Sequence, residues 1–149
     1  MPDAQSSETI AYELPIERGA IRTFRGAMQS SNPAYEGVEA IIPPTFLITA
    51  WRWAPEGGRA AHGIPRSLLL HGEQEFIYHQ APPRAGQVLT AKEHIHDRYE
   101  KVGKRGGVMQ FVVISTEFSD EEGVLVAEMR STFIGREPKI GREPKGDAS

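Results

Sequence analysis

The chain has 149 residues, a formal net charge of −3 and no cysteine. That length suits a single domain with a substantial core, and the lack of cysteine excludes disulfides, thiolate metal sites and a cysteine nucleophile. The negative charge argues against a dedicated nucleic-acid-binding protein, which is normally basic. No segment reaches the roughly 20 apolar residues of a membrane-spanning helix. Residues 1–9 lack the apolar core of a signal peptide, so a cytoplasmic protein without membrane contact is expected.

The N-terminal part of the chain predicts a short strand followed by a helix. Residues 1–9 are polar and are expected to form a disordered leader. Alternation over Ile10–Ile16 favours a strand, and Pro15 marks the entry to a helix. Apolar residues then recur at helical spacing as far as Met28, with charged residues away from that stripe, so the helix is amphipathic.

The middle of the chain contains one strongly apolar segment between two loops. Pro43-Pro44 leads into Thr45–Trp53, which is unbroken and rich in aromatic residues, and we predict a buried helix there. The following segment, Ala54–Pro65, is rich in glycine and proline and is long for a compact domain. We therefore expect it to be mobile or covered by a partner.

The C-terminal half predicts four strands separated by turn-forming segments. The predicted strands are Arg66–His79, Val88–Lys101, Val108–Ser119 and Val124–Ile134. Short connections favour antiparallel neighbours, so these strands are expected to form a meander. The stretch from Met109 to Ile114 is apolar on both faces, as is typical of a central strand.

Alternation along the predicted strands assigns each residue to one face of the sheet. In the last strand, Met129 and Phe133 share an apolar face. In the first strand, Leu70 and Phe76 are expected on one face and the histidines on the other. The two histidines of that strand are His71 and His79.

These elements together predict an α+β fold in one domain spanning residues 10–136, with an antiparallel sheet wrapped around a central helix. Beyond it, Gly135-Arg136-Glu137-Pro138-Lys139 recurs as Gly141-Arg142-Glu143-Pro144-Lys145. Such a polar repeat has no apolar surface to bury, so residues 137–149 are expected to form a disordered tail.

A series of short motifs follows a characteristic order and spacing along residues 10–136. They are Phe24-Arg25-Gly26-Ala27-Met28, Asn32-Pro33-Ala34-Tyr35, Pro43-Pro44-Thr45-Phe46, Leu70-His71-Gly72-Glu73-Gln74-Glu75-Phe76, Pro83-Arg84-Ala85-Gly86-Gln87-Val88-Leu89 and Val102-Gly103-Lys104-Arg105-Gly106-Gly107. In this order they resemble the MaoC-like dehydratases, and most of all their N-terminal-type domain, which is grouped with fatty-acid-synthase dehydratase domains. The resemblance implies a hot-dog fold that works as a dimer or as a fused double domain.

The resemblance also implies a chemistry, the reversible hydration of trans-2-enoyl thioesters carried on coenzyme A or an acyl carrier protein, without a further cofactor. Active members place an aspartate and a histidine on a Gly-Asp-x-Asn-Pro-x-His motif. This chain keeps Asn32 and Pro33 but has Ser30 in place of the aspartate and Tyr35 in place of the histidine. A serine hydroxyl and a tyrosine phenol keep their protons near pH 7, so the catalytic acid–base pair is absent.

Members with this loss resemble the non-catalytic half of a heterodimeric hydratase. We therefore predict the acyl-binding subunit of a heteromeric 2-enoyl-CoA hydratase, inactive alone, whose MaoC-like partner supplies the catalytic pair. The candidate substrate-binding residues are Asn32, Tyr35, Phe46, Lys104, Arg105, Gly106 and Gly107. Among them, the charged hairpin residues suit the phosphates of coenzyme A. Association is expected through a strand edge and the Ala54–Pro65 loop.

Two other hot-dog functions are considered beside this one. A self-sufficient homodimeric hydratase would need His71 or His79 as its base, and both are expected on the face away from the helix. A hot-dog thioesterase would need an aspartate or glutamate on the central helix, and Thr45–Trp53 contains none.

A third alternative is a cupin-like metal protein. The segment His94–Glu100 is similar to the first metal motif of cupins, since alternation places His94, His96 and Glu100 on one face. No histidine follows His96 to act as a fourth ligand, and the same face carries Lys92 and Arg98. Their positive charges oppose a divalent cation, so we expect no metal at this segment.

Overall fold

The computed structural model describes residues 8–136, and its elements follow the predicted order. Helix α1 spans Arg18–Ala27, and the strands are β1 (Tyr12–Pro15), β2 (Leu69–Tyr78), β3 (Val88–Val102), β4 (Val108–Ser119) and β5 (Leu125–Arg136). Short 3₁₀ helices occupy Pro33–Tyr35, Phe46–Arg52 and Arg66–Leu68. The predictions for residues 1–7 and 137–149 lie outside the described residues. No helix within residues 8–136 is long and apolar enough to cross a membrane.

The strands form one antiparallel sheet with the order β1-β3-β4-β5-β2. The strand β4 lies at the centre, which confirms the interpretation of its two apolar faces. The predicted four-stranded meander is correct only for β3, β4 and β5. The strand β2 does not pair with β3 but crosses to the far edge and pairs with β5. Short connections favour adjacent strands only statistically, and the turn between β2 and β3 spans that crossing.

A β-bulge at Gly72 changes the faces of β2. His71 is opposite Phe133 while Glu73 is opposite Thr132, so one extra residue of β2 stands between them. A side chain at this position would force the Ile134 side chain to move, because a Cβ on Gly72 would lie 2.5 Å from a methyl carbon of Ile134. Beyond the bulge the alternation is inverted. His71 therefore lies on the same face as Phe76, whereas the sequence alternation places them on opposite faces.

A second bulge lies at His96 in β3, where Ile95 pairs with Ile114 and Asp97 pairs with Val113. It inverts the alternation for the rest of the strand. His94 then pairs with Ser115 and Glu100 with Gln110, two β4 residues that point to opposite faces. The expectation that His94, His96 and Glu100 share one face is therefore wrong.

The inner face of the sheet packs on the central 3₁₀ helix, Phe46–Arg52, which fulfils the prediction of a buried segment at this place. Phe46, Leu47 and Ala50 are at most 1% exposed. They form one core cluster with residues of every strand except β2, namely Tyr12, Leu14, Leu89, Ala91, Phe118, Ala127 and Met129. Phe76 and Tyr78 of β2 pack against that cluster.

The central helix is shorter and tighter than a long α-helix. Its amides bond to carbonyls three residues back, as in Phe46 N to Pro43 O at 3.0 Å and Trp53 N to Ala50 O at 2.9 Å. The prolines before the segment supply no amide donors, and Ala54 precedes Pro55, which disfavours helical geometry there. A full α-helix therefore has no room to extend in either direction.

The Ala54–Pro65 loop is fastened to the sheet rather than left mobile. The Gly57 carbonyl accepts a hydrogen bond from the Ile10 amide at 2.9 Å. Arg98 of β3 donates to the carbonyls of Ala61 and His62 at 3.0 and 2.9 Å. Ile64 is buried in a second core cluster with Val112, Ile114 and Phe133. The loop therefore covers the half of the inner face that the central helix does not reach.

Candidate functional site

The motif loop, Ser30–Tyr35, follows α1 and is shaped by local hydrogen bonds. The chain turns at Gln29, whose φ of 55° is in the left-handed region. The Ser30 Oγ then accepts a hydrogen bond from the Asn32 amide at 3.2 Å. The Asn32 side chain accepts in turn from the Ala34 amide at 3.0 Å and caps the 3₁₀ turn that ends at Tyr35. Both polar side chains are thus used to hold the backbone.

The Tyr35 ring is half-buried and packs against the main core cluster, which also contains Phe46. Tyr78 of β2 lies near Tyr35, and its hydroxyl donates to the Pro44 carbonyl at 2.8 Å. Burial, and to a smaller extent Tyr35, raise the pKa of Tyr78 to about 12. The two aromatic rings therefore form a partly apolar wall.

Arg25 of α1 ties the motif loop to the helix. Its Nε donates to the Ser30 carbonyl at 2.9 Å, and its Nη1 lies 2.6 Å from the Glu36 carboxylate. Glu36 is the acidic group next to the motif positions in the chain, and this contact neutralises it. The loop from Ser30 to Tyr35 itself contains no carboxylate and no imidazole. The geometry therefore offers surface contact and hydrogen bonding here, but no general base.

The structure brings Ser30, Asn32, Tyr35 and Phe46 to one end of the domain. Phe46 itself is 1% exposed, so its ring lies in the core, and its contact with an acyl chain stays a prediction.

The Gly103–Gly107 hairpin lies at the other end. The stretch of β4 from Phe118, which shares the core with Tyr35, to Val108 at the hairpin is about 30 Å long. Lys104 and Arg105 are exposed at its tip, and Gly106 adopts a φ of 87° that glycine tolerates. Within one chain these residues do not share a wall with Tyr35.

Two histidines lie near Phe133 on the inner face. The His71 and His62 rings have centroids 5.6 and 5.4 Å from that of Phe133. The His71 Nε2 is 3.1 Å from Gln74 Oε1, which also accepts from the Ser131 hydroxyl at 2.8 Å. Burial, together with the nearby charges of two arginines, lowers the pKa of His62. Because the bulge at Gly72 turns His71 to the inner face, a polar side chain lies there that the sequence alternation places on the opposite face.

Glu93 is a buried titratable residue that the sequence patterns did not identify as a site candidate. Its side chain is 0% exposed on the inner face of β3. Its Oε2 accepts from the Ala60 amide at 2.9 Å, while Arg59 Nε lies 3.3 Å from Oε1, near enough for ion pairing but not aligned as a hydrogen bond. Burial raises the pKa of this carboxyl, although the Ala60 amide and Arg59 oppose the shift. The available signal was its position between Ala91 and Ile95, on the apolar side of the alternation.

A buried tyrosine faces the same carboxylate. Burial, and next the charge of Glu93, raise the pKa of Tyr12 to about 12. Its hydroxyl is buried without a hydrogen-bond partner among residues 8–136. Thr9 donates to the Glu93 backbone carbonyl, so the cluster fastens both the N-terminal segment and the Ala54–Pro65 loop to β3.

The candidate metal residues do not assemble into a site. The rings of His94 and His96 are 6.3 Å apart, while Glu100 lies on the other face of the sheet from His94. Among residues 8–136, no group of three or more histidine, aspartate or glutamate side chains is arranged to hold a metal ion. The cupin-like alternative therefore loses the shared face on which it depended.

Comparison with known proteins places this architecture in context. Residues 6–129 match the family model described as FAS1-like, dehydratase domain region. A UPF0336 protein from Parafrankia sp. (strain EAN1pec) is 32% identical over 141 residues, covering 87% of this chain and 89% of the relative.

Two solved complexes from Mycobacterium tuberculosis share the fold. The truncated HadBC complex, a 3R-hydroxyacyl-ACP dehydratase, contains a chain with a TM-score of 0.67 and 23% identity, covering 88% of this chain and 98% of that one. The ChsH1-ChsH2 complex contains one with a TM-score of 0.64 and 16% identity, covering 89% and 86%. At such identities the likeness concerns the fold alone, and it confirms the predicted hot-dog domain.

Proposed function

This chain belongs to the FAS1-like dehydratase family of MaoC-like hot-dog proteins, and from that premise we propose that it is a subunit of a heteromeric 2-enoyl thioester hydratase. In this proposal it is the acyl-binding half. It forms one wall of the site, and a MaoC-like partner supplies the aspartate and histidine that move protons.

The proposal rests on the residues at two motif positions, Ser30 and Tyr35, neither of which can act as a general base. Hydration needs a group that takes a proton from water within about 3 Å. Ser30 instead uses its oxygen to accept the Asn32 amide, and Tyr35 turns its ring against the core. The neighbouring Glu36 is paired with Arg25 at 2.6 Å. The loop therefore lacks the acid–base groups that hydration needs.

The acyl-binding role is supported by the surface beside that loop. Tyr35 and Tyr78 provide half-buried aromatic faces, and burial keeps the Tyr78 phenol uncharged. An acyl chain gains free energy by covering such faces, since apolar contact removes them from water. HadBC and ChsH1-ChsH2 are both complexes, which supports the idea of a partner subunit for this fold.

The hairpin residues keep their proposed role only in an assembly. Lys104 and Arg105, with Gly106 and Gly107, follow the end of β4 that lies about 30 Å along the strand from Phe118, a residue of the core cluster against which Tyr35 packs. In the proposed complex they would face a ligand that the partner holds, and that contact is part of the proposal.

The proposal is tested by measuring hydration of crotonyl-CoA and longer enoyl-CoA substrates. The chain is assayed alone and in complex with a MaoC-like protein that has the complete Gly-Asp-x-Asn-Pro-x-His motif. We expect turnover by the complex, and a rate for the chain alone that is lower by about 10²- to 10⁴-fold, the usual cost of a missing general base.

Matched variants separate the two subunits in this assay. Replacing the partner's motif aspartate by asparagine should abolish turnover, whereas Tyr35→Phe in this chain should leave kcat unchanged, because Tyr35 moves no proton. A 100-fold fall in kcat for Tyr35→Phe, or full activity of the pure chain, would contradict the proposal.

One observation favours a second candidate, a self-sufficient homodimeric hydratase. The bulge at Gly72 places His71 on the inner face, within 3.1 Å of Gln74, where an imidazole could serve as a base. This candidate predicts hydration by the pure homomer that is lost in His71→Ala and kept in His79→Ala, since His79 is paired with Glu128 on the outer face. An inactive homomer would dismiss it.

A further inference from the structure

Three arginines of α1 line a groove of about 520 Å³ beside the motif loop, which we call the arginine groove. Arg18, Arg22 and Arg25 are four and three residues apart, so the helix presents them along one side. The remaining lining residues are Gly19, Tyr35, Glu36 and Gly37. The groove therefore opens directly at the ring that we place in the acyl site.

The charge of the arginine groove is not balanced within the described chain. Arg25 is committed to Glu36 and to the Ser30 carbonyl. Arg18 and Arg22 are exposed, and neither forms an ion pair with a carboxylate of residues 8–136. The lining thus holds three guanidinium groups against one carboxylate, in a protein whose formal net charge is −3. A local excess of positive charge on an acidic protein favours an anionic ligand at this place.

The floor of the arginine groove leaves room for a ligand to approach the helix. Gly19 lies between the two free arginines, and Gly37 lies on the opposite side of the groove. A Cβ at either glycine would have no atom within 4 Å, so these walls are bare backbone facing open space. Arg18 and Arg22 are separated by about 6 Å along the helix axis, a spacing that lets both reach the oxygens of one phosphorylated group.

We propose that the arginine groove binds the phosphate groups of the coenzyme A moiety of the thioester, while the acyl end lies at Tyr35. The inference rests on the proposed function, since it names the ligand group that the same wall receives. Guanidinium groups match phosphate oxygens in planar, paired hydrogen bonds, and the phosphates are the anionic groups of a coenzyme A thioester. The Lys104–Arg105 pair is not among the residues that line the arginine groove.

The proposal is tested by calorimetry, which measures the equilibrium binding of free coenzyme A to the full chain. Pantetheine, which has no phosphate, is the matched ligand. Arg18→Ala/Arg22→Ala should weaken coenzyme A binding roughly 5- to 30-fold, the sum of two partly exposed contacts, and should reduce its salt dependence. Pantetheine binding should not change. Because both side chains are exposed, the melting temperature should stay the same, which checks that the variant folds.

Control variants decide where the phosphates lie. Arg52→Ala/Arg66→Ala removes the same charge from exposed positions outside the groove and should leave coenzyme A binding unchanged. An equal loss in that control would overturn the proposal in favour of a general charge effect. A loss in Lys104→Ala/Arg105→Ala but not in Arg18→Ala/Arg22→Ala would overturn it in favour of the hairpin.

A binding experiment with an acyl carrier protein distinguishes recognition of a phosphate group from recognition of a protein surface. Binding of an apo acyl carrier protein, which lacks the phosphopantetheine arm, without binding of free coenzyme A would also overturn the proposal, since an acidic protein surface would then be the ligand. These measurements need neither a partner nor turnover. A failed hydratase assay therefore leaves the groove testable, and a failed groove leaves the hydratase assay intact.

Discussion

Replacing Phe46 by alanine perturbs the centre of the fold and also separates two roles for this residue. Phe46 lies in the central 3₁₀ helix, is 1% exposed and meets the Phe24 ring edge-to-face with centroids 5.5 Å apart. It is also a candidate contact for the acyl chain. A core residue and a tunnel-lining residue respond differently to truncation, so one substitution distinguishes them.

The expected cost follows from burial. Truncating a fully buried phenylalanine to alanine costs about 3–5 kcal/mol through lost transfer free energy and the cavity that remains. With full burial and the edge-to-face pair with Phe24, we expect a cost of at least the middle of that range, about 4 kcal/mol. Total stabilities of such domains are about 5–15 kcal/mol, so Phe46→Ala should remain folded but marginal.

Urea unfolding followed by circular dichroism measures this change. With an m-value of about 2 kcal/mol/M, the midpoint should fall by about 2 M. Trp53→Ala is the matched control, since this aromatic residue of the same segment is 45% exposed, and it should lose less than about 1 kcal/mol. A loss below about 1 kcal/mol for Phe46→Ala, with an altered preference for acyl length in the complex, would refute the core assignment and support the tunnel role.

Three further outcomes are expected. Burial raises the pKa of Glu93, so the contribution of this carboxyl to the free energy of unfolding is full below pH 4.5 and is lost as the pH rises through the raised pKa. Glu93→Gln should remove this pH dependence. Parallel profiles of unfolding free energy against pH for the variant and the wild type would contradict this expectation. The hydrogen bond from His79 lowers the pKa of Glu128, so that pair stabilises the fold above pH 4.5 and fails as the pH falls through the lowered value. His79→Ala should therefore cost under about 1 kcal/mol at pH 7 and progressively less as the pH falls below 4.5, measured by urea unfolding. Finally, the free edge of β2 (Leu69–Tyr78) should pair with a second hot-dog chain, its own or a relative's, and light scattering that finds only monomer with and without the partner would defeat this.

Local patterns predicted most of the elements of this protein. The bounds of Val108–Ser119 were predicted without error, and those of β3 differ by one residue. Period-two alternation and glycine-rich turns are properties of neighbouring residues, so they are readable along the chain. The family resemblance and the loss of the acid–base pair at Ser30 and Tyr35 also depend on residue identity alone.

The pairing of strands and the faces of their residues were decided by tertiary contacts. Whether β2 pairs with β3 or β5 depends on which edge of the sheet is free, and that is a property of the assembled sheet. The bulges at Gly72 and His96 each place one extra residue in a strand relative to its partner, and each inverts every face beyond it.

The polar interior shows the same division between sequence and structure. By alternation Glu93 belongs to the apolar side of β3, which the amino-acid sequence already determines. What makes a carboxylate tolerable there is the Ala60 amide and the Arg59 side chain, brought from 33 residues away by the fastened loop. The same holds for Tyr35 and the arginine groove, since a helix stripe and a loop motif become one site only when α1 and the sheet pack together. The amino-acid sequence determines which side chains can be buried, bind a ligand or donate a hydrogen bond. The distances between those side chains are set by tertiary packing, because packing brings together residues that lie far apart in the chain.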